Sequence, residues 1–362
     1  MHVLVVTIVH TPLDARIWHR EIAALLDAGH RVTYVAPWSG YGIEPETAST
    51  RLDVVDVPRA VGRRRLRALV AARRTIARLR HDVDVVVIHD PELLAAVALL
   101  RRPPTVWDVH EDTAATLVDK PWLPSAVRRP LARLVRAAER RAERHVDVLF
   151  AEEAYRGNFA RAHPWVPNEP LVPPSVTPPG DDRVVYLGRV SRGRGADALL
   201  ALPARLPAGV RLEVLGPADA DVRGAFESAA RDGVLEWEGF VPNDVAHERL
   251  AGALAGLSLL ADLPNYRHSR PTKVVEYMAH GVPVVTTPTP IAAGIVERHD
   301  CGIVVPFDDV DAVAAAIAKL HDDDELRGRL AGNGHAAALA EYDWRRSAPR
   351  FVSEIERVAS RR

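Results

Sequence analysis

Residues 2–37 read HVLVVTIVHTPLDARIWHREIAALLDAGHRVTYVAP, and this stretch indicates the fold. The apolar run at 2–9 is typical of a buried strand, 15–29 has the period of a helix, and 31–37 is again strand-like. A strand, a helix and a second strand in this order form a βαβ unit, whose parallel strands are covered by helices on both faces. The stretch therefore predicts an α/β protein with a parallel sheet.

The same alternation continues along the chain and restarts once. Residues 163–182, HPWVPNEPLVPPSVTPPGDD, are too rich in proline for a helix or a central strand. After them, a strand at 183–190, a helix at 195–206 and a strand at 210–217 repeat the opening pattern. Further elements of the second half are a strand at 235–241, a helix near 244–255, strands at 257–262, 282–287 and 302–307, and a helical tail from about 309.

These patterns divide the chain into domains, and its 362 residues are enough for two of roughly 150–200 residues each. The strand-like runs of the first half lie at 53–57, 83–89, 105–110 and 146–152. We predict a Rossmann-like domain at 1–165, a linker at 166–182, a second Rossmann-like domain at 183–343 and a final helix at 344–362.

Composition excludes several classes of protein. The formal net charge of −1 provides no global field that would attract nucleic acid. Cys301 is the single cysteine, so no internal disulfide forms, as in a reducing compartment. The chain starts without a basic leader, and the apolar run at 250–261 is shorter than the ~20 residues of a membrane span. We therefore expect a soluble, cytoplasmic protein.

Three predicted strands of the first domain end in histidine, namely His10, His89 and His110. Asp90 and Glu111 directly follow the last two. Because ligands of open parallel sheets bind beyond the carboxyl ends of the strands, the three histidines predict a binding site. Histidine and carboxylate also bind zinc or iron, but these residues come from separate strands without helical His-x-x-x-His spacing, so we predict no metal.

In the second domain, the strand that ends at Gly188 runs into a loop rich in glycine and arginine. A glycine-rich turn ahead of a helix presents free backbone N–H groups and the positive end of the helix dipole, and both suit phosphate. Arg189 and Arg194 add charge of the same sign. The loop therefore predicts a phosphate site, with an ordinary basic loop as the alternative.

A short helix followed by a buried strand is predicted at 270–285, RPTKVVEYMAHGVPVV. Lys273 lies in the first turn, where a cation opposes the helix dipole by ~0.3–1 kcal/mol. Lys273, Glu276, Tyr277 and His280 share one face, and apolar residues cover the other. We predict that the polar face lines a cleft, with Lys273 on a pyrophosphate and Glu276 on a ribose diol. The predicted ligand is a nucleoside diphosphate.

Together these features resemble the retaining glycosyltransferases of family 4, also described as glycosyl transferases group 1, which have the GT-B fold. The resemblance covers nearly the whole chain. It rests on the segments HTPLDARIWHRE (10–21), GHRVTYVAP (29–37), HDPELL (89–94), VWDVHED (106–112), VPN (166–168), LGRVSRGRG (187–195), EWEGFVPND (236–244), RPTKVVEYMAHGVPVVTT (270–287) and CGIVVPFDDVDAVAAAI (301–317). It implies two Rossmann-like domains that face each other across a cleft, with the final helix crossing back to the first.

The resemblance also implies roles for individual residues. The second domain would bind a sugar nucleotide and the first domain an acceptor, with His110, Arg189 and Lys273 as the catalytic residues. The implied donor site comprises Gly188, Arg189, Arg194, Gly216, Val241, His268, Thr272, Lys273 and Glu276. The implied acceptor side comprises His10, Asp14, Arg16, His89 and Glu111. His268 is a departure, because it stands eight positions before Glu276, where the family often has another glutamate.

The implied reaction moves a sugar from a nucleoside diphosphate sugar to a hydroxyl or amine with retained configuration. The acceptor is a small molecule, a glycan or a lipid-linked molecule. Because positioned cations can neutralise the departing diphosphate, we expect neither a metal nor another cofactor. The alternatives are a nucleotide-sugar epimerase or hydrolase on the same fold, and a non-catalytic subunit that binds sugar nucleotides.

Two arginine-rich segments, 59–80 and 127–145, have the pattern of amphipathic helices with basic outer faces. Such faces can rest on an anionic membrane, which would suit a lipid-linked acceptor. A solvated arginine-rich face is the interpretation that we favour, with peripheral membrane contact as the alternative. The sequence makes no prediction of oligomeric state.

Overall fold

The structure is a computed structural model that describes residues 1–45, 49–98, 100–118, 124–268 and 270–361. It divides into two compact units, each built on a parallel six-stranded sheet with helices, as the βαβ pattern predicts. Unit 1 comprises Met1–Asn168 and Arg345–Arg362, and unit 2 comprises Glu169–Trp344.

The sheet of unit 1 has the doubly wound strand order β3-β2-β1-β4-β5-β6. Its strands are β1 (His2–Val6), β2 (Arg31–Ala36), β3 (Leu52–Asp56), β4 (Val85–Ile88), β5 (Thr105–Val109) and β6 (Asp147–Phe150). All of β4 and all of β1 after its first residue are buried, because the sheet is covered on both faces. The strand order reverses between β1 and β4, and ligands of such sheets bind at this switch point.

A π-helical turn, Ile17–Ile22, leads into the first helix of unit 1. The helices are α1 (Ala23–Asp27), α2 (Trp38–Tyr41), α3 (Arg65–Leu79), α4 (Leu93–Val97), α5 (Thr113–Val118) and α6 (Ser125–Ala142). A stripe of Ala68, Ala72 and Ile76 buries one side of α3, since residues four apart share a helix face. The arginine-rich segment 59–80 contains α3, and the segment 127–145 overlaps all but the first two residues of α6.

The sheet of unit 2 repeats this topology, with the order β12-β11-β10-β7-β8-β9. Its strands are β7 (Arg183–Leu187), β8 (Arg211–Leu215), β9 (Glu236–Gly239), β10 (Ala255–Ser258), β11 (Val284–Thr286) and β12 (Gly302–Val304). The switch point of this sheet lies between β7 and β10, so the loops after those two strands are where a ligand is expected.

Unit 2 has seven α-helices among the described residues, and aspartate side chains cap two of them. They are α7 (Ala196–Ala201), α8 (Ala220–Arg231), α9 (Asn243–Glu248), α10 (Thr272–Ala279), α11 (Pro290–His299), α12 (Val310–Asp322) and α13 (Asp324–Glu341). The Asp309 carboxylate accepts from the backbone N of Ala312 at 2.8 Å and so caps α12. Asp323 caps α13 in the same way through Leu326, at 2.9 Å.

The last helix, α14 (Trp344–Ala359), belongs to unit 1 from Arg345 onward. Phe351, Ile355 and Val358 form its buried side. Glu356 Oε1 lies 2.9 Å from His30 Nε2, which adds a polar contact within unit 1.

Two predicted helices of unit 2 are shorter than expected. The helix near 244–255 ends at Glu248, because the chain turns through Gly252, at a φ of +71°, to enter β10. The helix at 195–206 ends at Ala201 and continues as a 3₁₀ turn, Pro203–Arg205, since proline lacks the N–H that an α-helix needs. Across the described residues, no helix combines the length and the apolar character needed to cross a membrane.

Candidate functional site

In unit 1, a buried carboxylate organises the switch point between β1 and β4. Asp90 lies two residues after the end of β4 and accepts a hydrogen bond from Thr7 Oγ1 at 3.0 Å. It also accepts from the backbone N of Ile8 at 2.5 Å and of Val9 at 3.3 Å. Because these donors all lie in the loop after β1, Asp90 fixes the path of that loop and the place of His10 within it.

His10 lies between two carboxylates. Its Nδ1 is 3.7 Å from Asp14 Oδ2, and its Nε2 is 3.5 Å from Asp90 Oδ1. Burial opposes the charged imidazolium, but the hydrogen bond and the charge of Asp14, helped by Asp90, raise the pKa of His10 to about 9. Burial likewise opposes the charge of Asp14, yet His10 holds the pKa of that carboxyl well below its usual range. His10 is therefore cationic at neutral pH, and its side chain remains 23% exposed.

His110 follows β5 and is linked to two buried residues. Its Nε2 lies 3.1 Å from His89 Nδ1 and is hydrogen bonded to Asp108 Oδ2. The ring centroids of His89 and His110 are 4.9 Å apart, and those of His10 and His110 are 5.1 Å apart. The structure thus brings the three predicted histidines into one cluster at the carboxyl edge of the sheet.

Arg16 lies beneath this cluster and is only 1% exposed. Its Nε and Nη2 donate to the two oxygens of Asp108 at 2.8 and 2.9 Å, and its Nη1 donates to the Val166 carbonyl at 3.0 Å. Its Nε is also 2.8 Å from Glu21 Oε1. Arg16 and Glu21 meet because they are one π turn apart, joined by a backbone bond of 2.9 Å from Glu21 N to Arg16 O. The guanidinium is therefore surrounded by protein acceptors.

Burial favours the uncharged forms of Glu21 and His89, whereas Arg16 and Asp108 form a charged pair. Burial, with the charge of Asp108, raises the pKa of Glu21 well above its usual range. Burial lowers the pKa of His89 to about 4 despite its hydrogen bond to Asp108. His89 Nε2 is 3.6 Å from Glu21 Oε2. The buried positive charge of Arg16 is thus matched by the carboxylate of Asp108.

His89, Asp108 and His110 each offer a metal-ligand atom, and these atoms lie within 4.8 Å of one another. However, both Asp108 oxygens already accept hydrogen bonds from Arg16, and the guanidinium would repel a second cation at this distance. The geometry therefore fits a hydrogen-bonded support for His110 better than a metal centre.

Glu111 is exposed, and its charge also favours the cationic form of His10. Sequence reasoning missed Asp108 and Glu21, although both contact the predicted residues. One signal was present, because Asp108 is a carboxylate inside the otherwise apolar strand β5, and such a group needs a partner when buried.

In unit 2, glycines shape the switch point after β7. Gly188 has a φ of +110° and Gly216, which follows β8, a φ of +152°. A Cβ on Gly216 would lie 2.1 Å from the carbonyl oxygen of Gly188, so a side chain does not fit there. Trp237 Nε1 donates to the Gly216 carbonyl at 2.8 Å. Because Gly188 and Gly216 have no side chains, the backbone at the end of β7 can be approached closely by another group.

Lys273 lies in the first turn of α10 and is only 6% exposed. Its Nζ is 3.5 Å from the centroid of the Tyr186 ring and has no hydrogen-bond partner among the residues that the structure describes. A Cβ on Gly188 would lie 3.9 Å from this nitrogen. Burial and the nearby charge of Arg194 lower the pKa of Lys273 well below its usual range, and only Glu276 opposes them. An anion bound here would offset both the desolvation of the Lys273 ammonium and its repulsion by Arg194.

The arginines of the loop after β7 differ in their surroundings. Arg189 is 62% exposed, and its Nε lies 2.5 Å from Asp219 Oδ1. Arg192 pairs with Asp197 at 2.9 Å. Arg194 is the one whose charge acts on Lys273. The structure therefore brings Arg194 towards Lys273 and engages Arg189 with Asp219.

The remaining donor-side predictions lie around α10. Glu276 is 8% exposed, with Oε1 3.9 Å from His247 Nε2. Thr272 is half-buried at the start of the helix, Val241 is half-buried after β9, and His268 is exposed in a bend before the helix.

Tyr277 was predicted to face a cleft, and this was wrong. Its side chain is fully buried, its hydroxyl donates to the Leu257 carbonyl at 3.0 Å, and it accepts from Leu187 N at 2.9 Å. Both faces of α10 are buried because the helix packs on β7 and β10 as well as on other helices. Tyr277 therefore ties α10 to the two strands of the switch point.

Comparison with known sequences matches nearly the whole chain. The family described as Glycosyltransferase Family 4 matches residues 15–172, and the family described as Glycosyl transferases group 1 matches residues 181–323. A phosphatidyl-myo-inositol mannosyltransferase of Mycolicibacterium smegmatis is 29% identical over 344 residues, which cover 88% of this chain and 83% of the relative. A D-inositol 3-phosphate glycosyltransferase of Xylanimonas cellulosilytica is 29% identical over 186 residues, covering 49% and 43% respectively.

Solved structures with the same fold include sucrose-phosphate synthase of Thermosynechococcus elongatus. Its TM-score is 0.74 at 16% identity, with 100% of this chain and 99% of that chain covered. Anabaena HepE in complex with UDP-glucose has a TM-score of 0.71 at 17% identity, with 98% and 99% covered. Identities this low speak only for the fold, and the fold is GT-B.

Proposed function

Because the chain belongs to glycosyltransferase family 4, we propose that it moves a sugar from a nucleoside diphosphate sugar to an acceptor hydroxyl or amine with retained configuration. The single observation that carries this proposal is the buried amine of Lys273 beside the Gly188 turn, which has no hydrogen-bond partner among the described residues. A site of this kind suits a diphosphate, because charge-assisted bonds to phosphate are worth about 1.5–3 kcal/mol each.

On the donor side, Lys273 and Arg194 neutralise the diphosphate as it departs. Gly188 and Gly216 let the phosphates approach the backbone, and Arg189 joins them once it exchanges Asp219 for phosphate. Glu276 accepts hydrogen bonds from the ribose diol, which suits a carboxylate with two acceptor oxygens. Thr272 presents its backbone N–H at the start of α10, where the helix dipole favours an anion.

On the acceptor side, the resemblance to the family gives His110 the role of contacting the transferred sugar, and Asp108 and His89 hold its ring. The acceptor oxygen forms its bond to the anomeric carbon on the face from which the diphosphate leaves, and the acceptor proton passes to the departing phosphate oxygen. The curated relatives named for phosphatidyl-myo-inositol and D-inositol 3-phosphate make inositol phosphates the first acceptors to test.

The test of the donor site is binding of nucleoside diphosphates by calorimetry and thermal shift, with UDP, GDP, ADP and dTDP as the panel. We expect one of them to bind, and Lys273→Met to weaken it at least about tenfold, as the loss of one charge-assisted contact predicts. Lys319→Met is the matched control, since Lys319 is an exposed lysine of the same unit. If no diphosphate binds the unaltered protein, or if both variants bind equally well, the proposed donor site is wrong.

The stereochemistry has its own test. With the donor identified, the anomeric configuration of the first-formed product is read by proton NMR, and inversion would overturn the proposed mechanism. Donor consumption without acceptor, at the rate seen with acceptor, would favour a hydrolase or epimerase. Turnover that persists in the presence of a chelator is expected, because the cations of this site are side chains.

A further inference from the structure

Tyr186, in β7, contacts two of the residues assigned to the donor diphosphate. The face of its ring is 3.5 Å from Lys273 Nζ, and its hydroxyl donates to the backbone carbonyl of Arg189 at 2.9 Å. The side chain is fully buried and belongs to the hydrophobic core of unit 2. A residue of the hydrophobic core is thus in direct contact with Lys273 and with the backbone of Arg189.

The ring of Tyr186 is suited to holding an amine that has no other support. Aromatic faces carry negative electrostatic potential and attract cations, most strongly where water is excluded. Lys273 is buried and, among the described residues, its Nζ has no hydrogen-bond acceptor. The charged groups that face this amine are Arg194, which repels it, and Glu276, which attracts it. The ring therefore helps to retain the ammonium form at this position.

A second tyrosine, Tyr277, holds the helix that carries Lys273 close to the strand that carries Tyr186. Tyr277 of α10 accepts a hydrogen bond from the backbone N of Leu187, the residue after Tyr186. The helix that carries Lys273 is thus tied to the end of β7 at two points. Tyr277 holds the backbones together, and the ring of Tyr186 lies against the end of the Lys273 side chain.

We propose that Tyr186 is a positioning residue of the donor site. Its ring holds the Lys273 ammonium against the Gly188 turn. The inference rests on the proposed function, since it gives Tyr186 a purpose only if the Gly188 turn receives a diphosphate. Tyr186 acts through Lys273 and does not touch the ligand.

The experiment compares Tyr186→Leu, which removes the ring, with Tyr186→Phe, which keeps it. Phe226→Leu is the matched control, because Phe226 is a fully buried aromatic residue of the same core. Affinity is measured by calorimetry for the nucleoside diphosphate identified from the panel of four, and for inorganic pyrophosphate as a probe without a base. Thermal denaturation of each variant reports the cost of the core substitution separately.

We expect Tyr186→Leu to weaken diphosphate binding about tenfold, which is the effect of losing one desolvated cation–π contact. Tyr186→Phe should stay within about twofold of the unaltered protein, and Phe226→Leu should bind normally even if it melts earlier. In the Lys273→Met background, Tyr186→Leu should have no further effect on affinity, because the two residues act as one unit.

Two results would overturn the inference. One is a Tyr186→Leu variant that binds as well as Phe226→Leu, and the other is an equal loss with and without Lys273. Either result leaves the donor site itself standing, provided that Lys273→Met weakens binding. Failure of the unaltered protein to bind any diphosphate would instead reject the proposed function.

Discussion

Unit 1 and unit 2 both bury a basic side chain at the switch point of their sheet, and the polar contacts of the two side chains differ. Arg16 of unit 1 donates to both oxygens of Asp108 and to the carbonyl of Val166. Lys273 of unit 2 rests on the Tyr186 ring, and its Nζ has no hydrogen-bond acceptor among the residues described. The two side chains are similarly buried, but only Arg16 is hydrogen bonded to acceptors among the described residues.

This difference separates a support from a binding group. A buried cation whose nitrogens all donate to protein acceptors stabilises the groups that it contacts, and its charge is already matched within the protein. A buried cation without acceptors costs free energy in the empty protein, and a bound anion recovers that cost. Arg16 therefore belongs to the scaffold that holds His110, whereas Lys273 belongs to a site for an anion.

The largest effect is expected from Arg16→Met. This substitution leaves the Asp108 carboxylate buried without its cation, so the free energy of unfolding should fall by about 3–5 kcal/mol. Urea denaturation measures the loss. A variant destabilised by less than about 1 kcal/mol would show that the pair is not balanced as the structure indicates.

The same substitution at the other cation should act in the opposite way. Lys273→Met removes an amine that has no hydrogen-bond acceptor among the described residues, and it keeps the apolar stem. The free energy of unfolding should therefore be unchanged or rise by roughly 1 kcal/mol. Glycosyl transfer should meanwhile fall about 100-fold, as when one electrostatic contact to a transition state is lost. Denaturation and initial-rate measurements on one preparation check both. A loss of stability comparable to that of Arg16→Met would show that Lys273 stabilises the fold in the same way as Arg16.

A smaller effect is expected from His10, which is charged but partly open to solvent. Its pKa in the folded protein, about 9, lies above the unfolded value of 6.5. The contribution of His10 to stability is therefore fully present below pH 6.5 and is lost as the pH rises towards 9. Relative to His10→Gln, the unaltered protein should be more stable at pH 6 by about 2 kcal/mol, with the difference vanishing above pH 9. Melting curves across this range would contradict the assignment if the difference did not depend on pH.

The smallest effect is expected at the exposed pair of Arg189 and Asp219. Because surface ion pairs are screened by water, Asp219→Ala should change the free energy of unfolding by less than about 1 kcal/mol. It should also free Arg189, so affinity for the diphosphate should be unchanged or slightly higher. Calorimetry that shows markedly weaker binding would mean that Asp219 positions Arg189 for the ligand.

The parts of the fold that rest on local patterns were predicted well. The apolar runs at 2–9 and 31–37 contain β1 and β2, and the segment 270–285 contains α10 and the first two residues of β11. The helix near 244–255 was predicted too long, since Gly252 and the turn into β10 depend on what the chain packs against. Tyr277 was placed on the wrong surface for a related reason. Helical periodicity tells which residues share a face, but it does not tell which faces are covered.

The clustering of His10, His89 and His110 could be anticipated, because carboxyl ends of neighbouring parallel strands lie at one edge of the sheet. The contact between Arg16 and Asp108 could not, since the two residues are 92 positions apart and the π-helical turn that orients Arg16 leaves no clear mark in the sequence. The site residues of the donor side remain predictions that binding experiments will test.

By itself, the sequence determined the α/β class, the strand-rich halves on either side of a proline-rich segment, and the family. These follow from apolar periodicity, turn residues and short motifs, which act over a few residues. Only the tertiary structure decided that Arg16 is paired and that Lys273 rests on Tyr186 without a hydrogen-bond acceptor among the residues described. The electrostatic state of a buried group depends on every charge and dipole within a few ångströms, and the fold brings those groups together from distant parts of the chain.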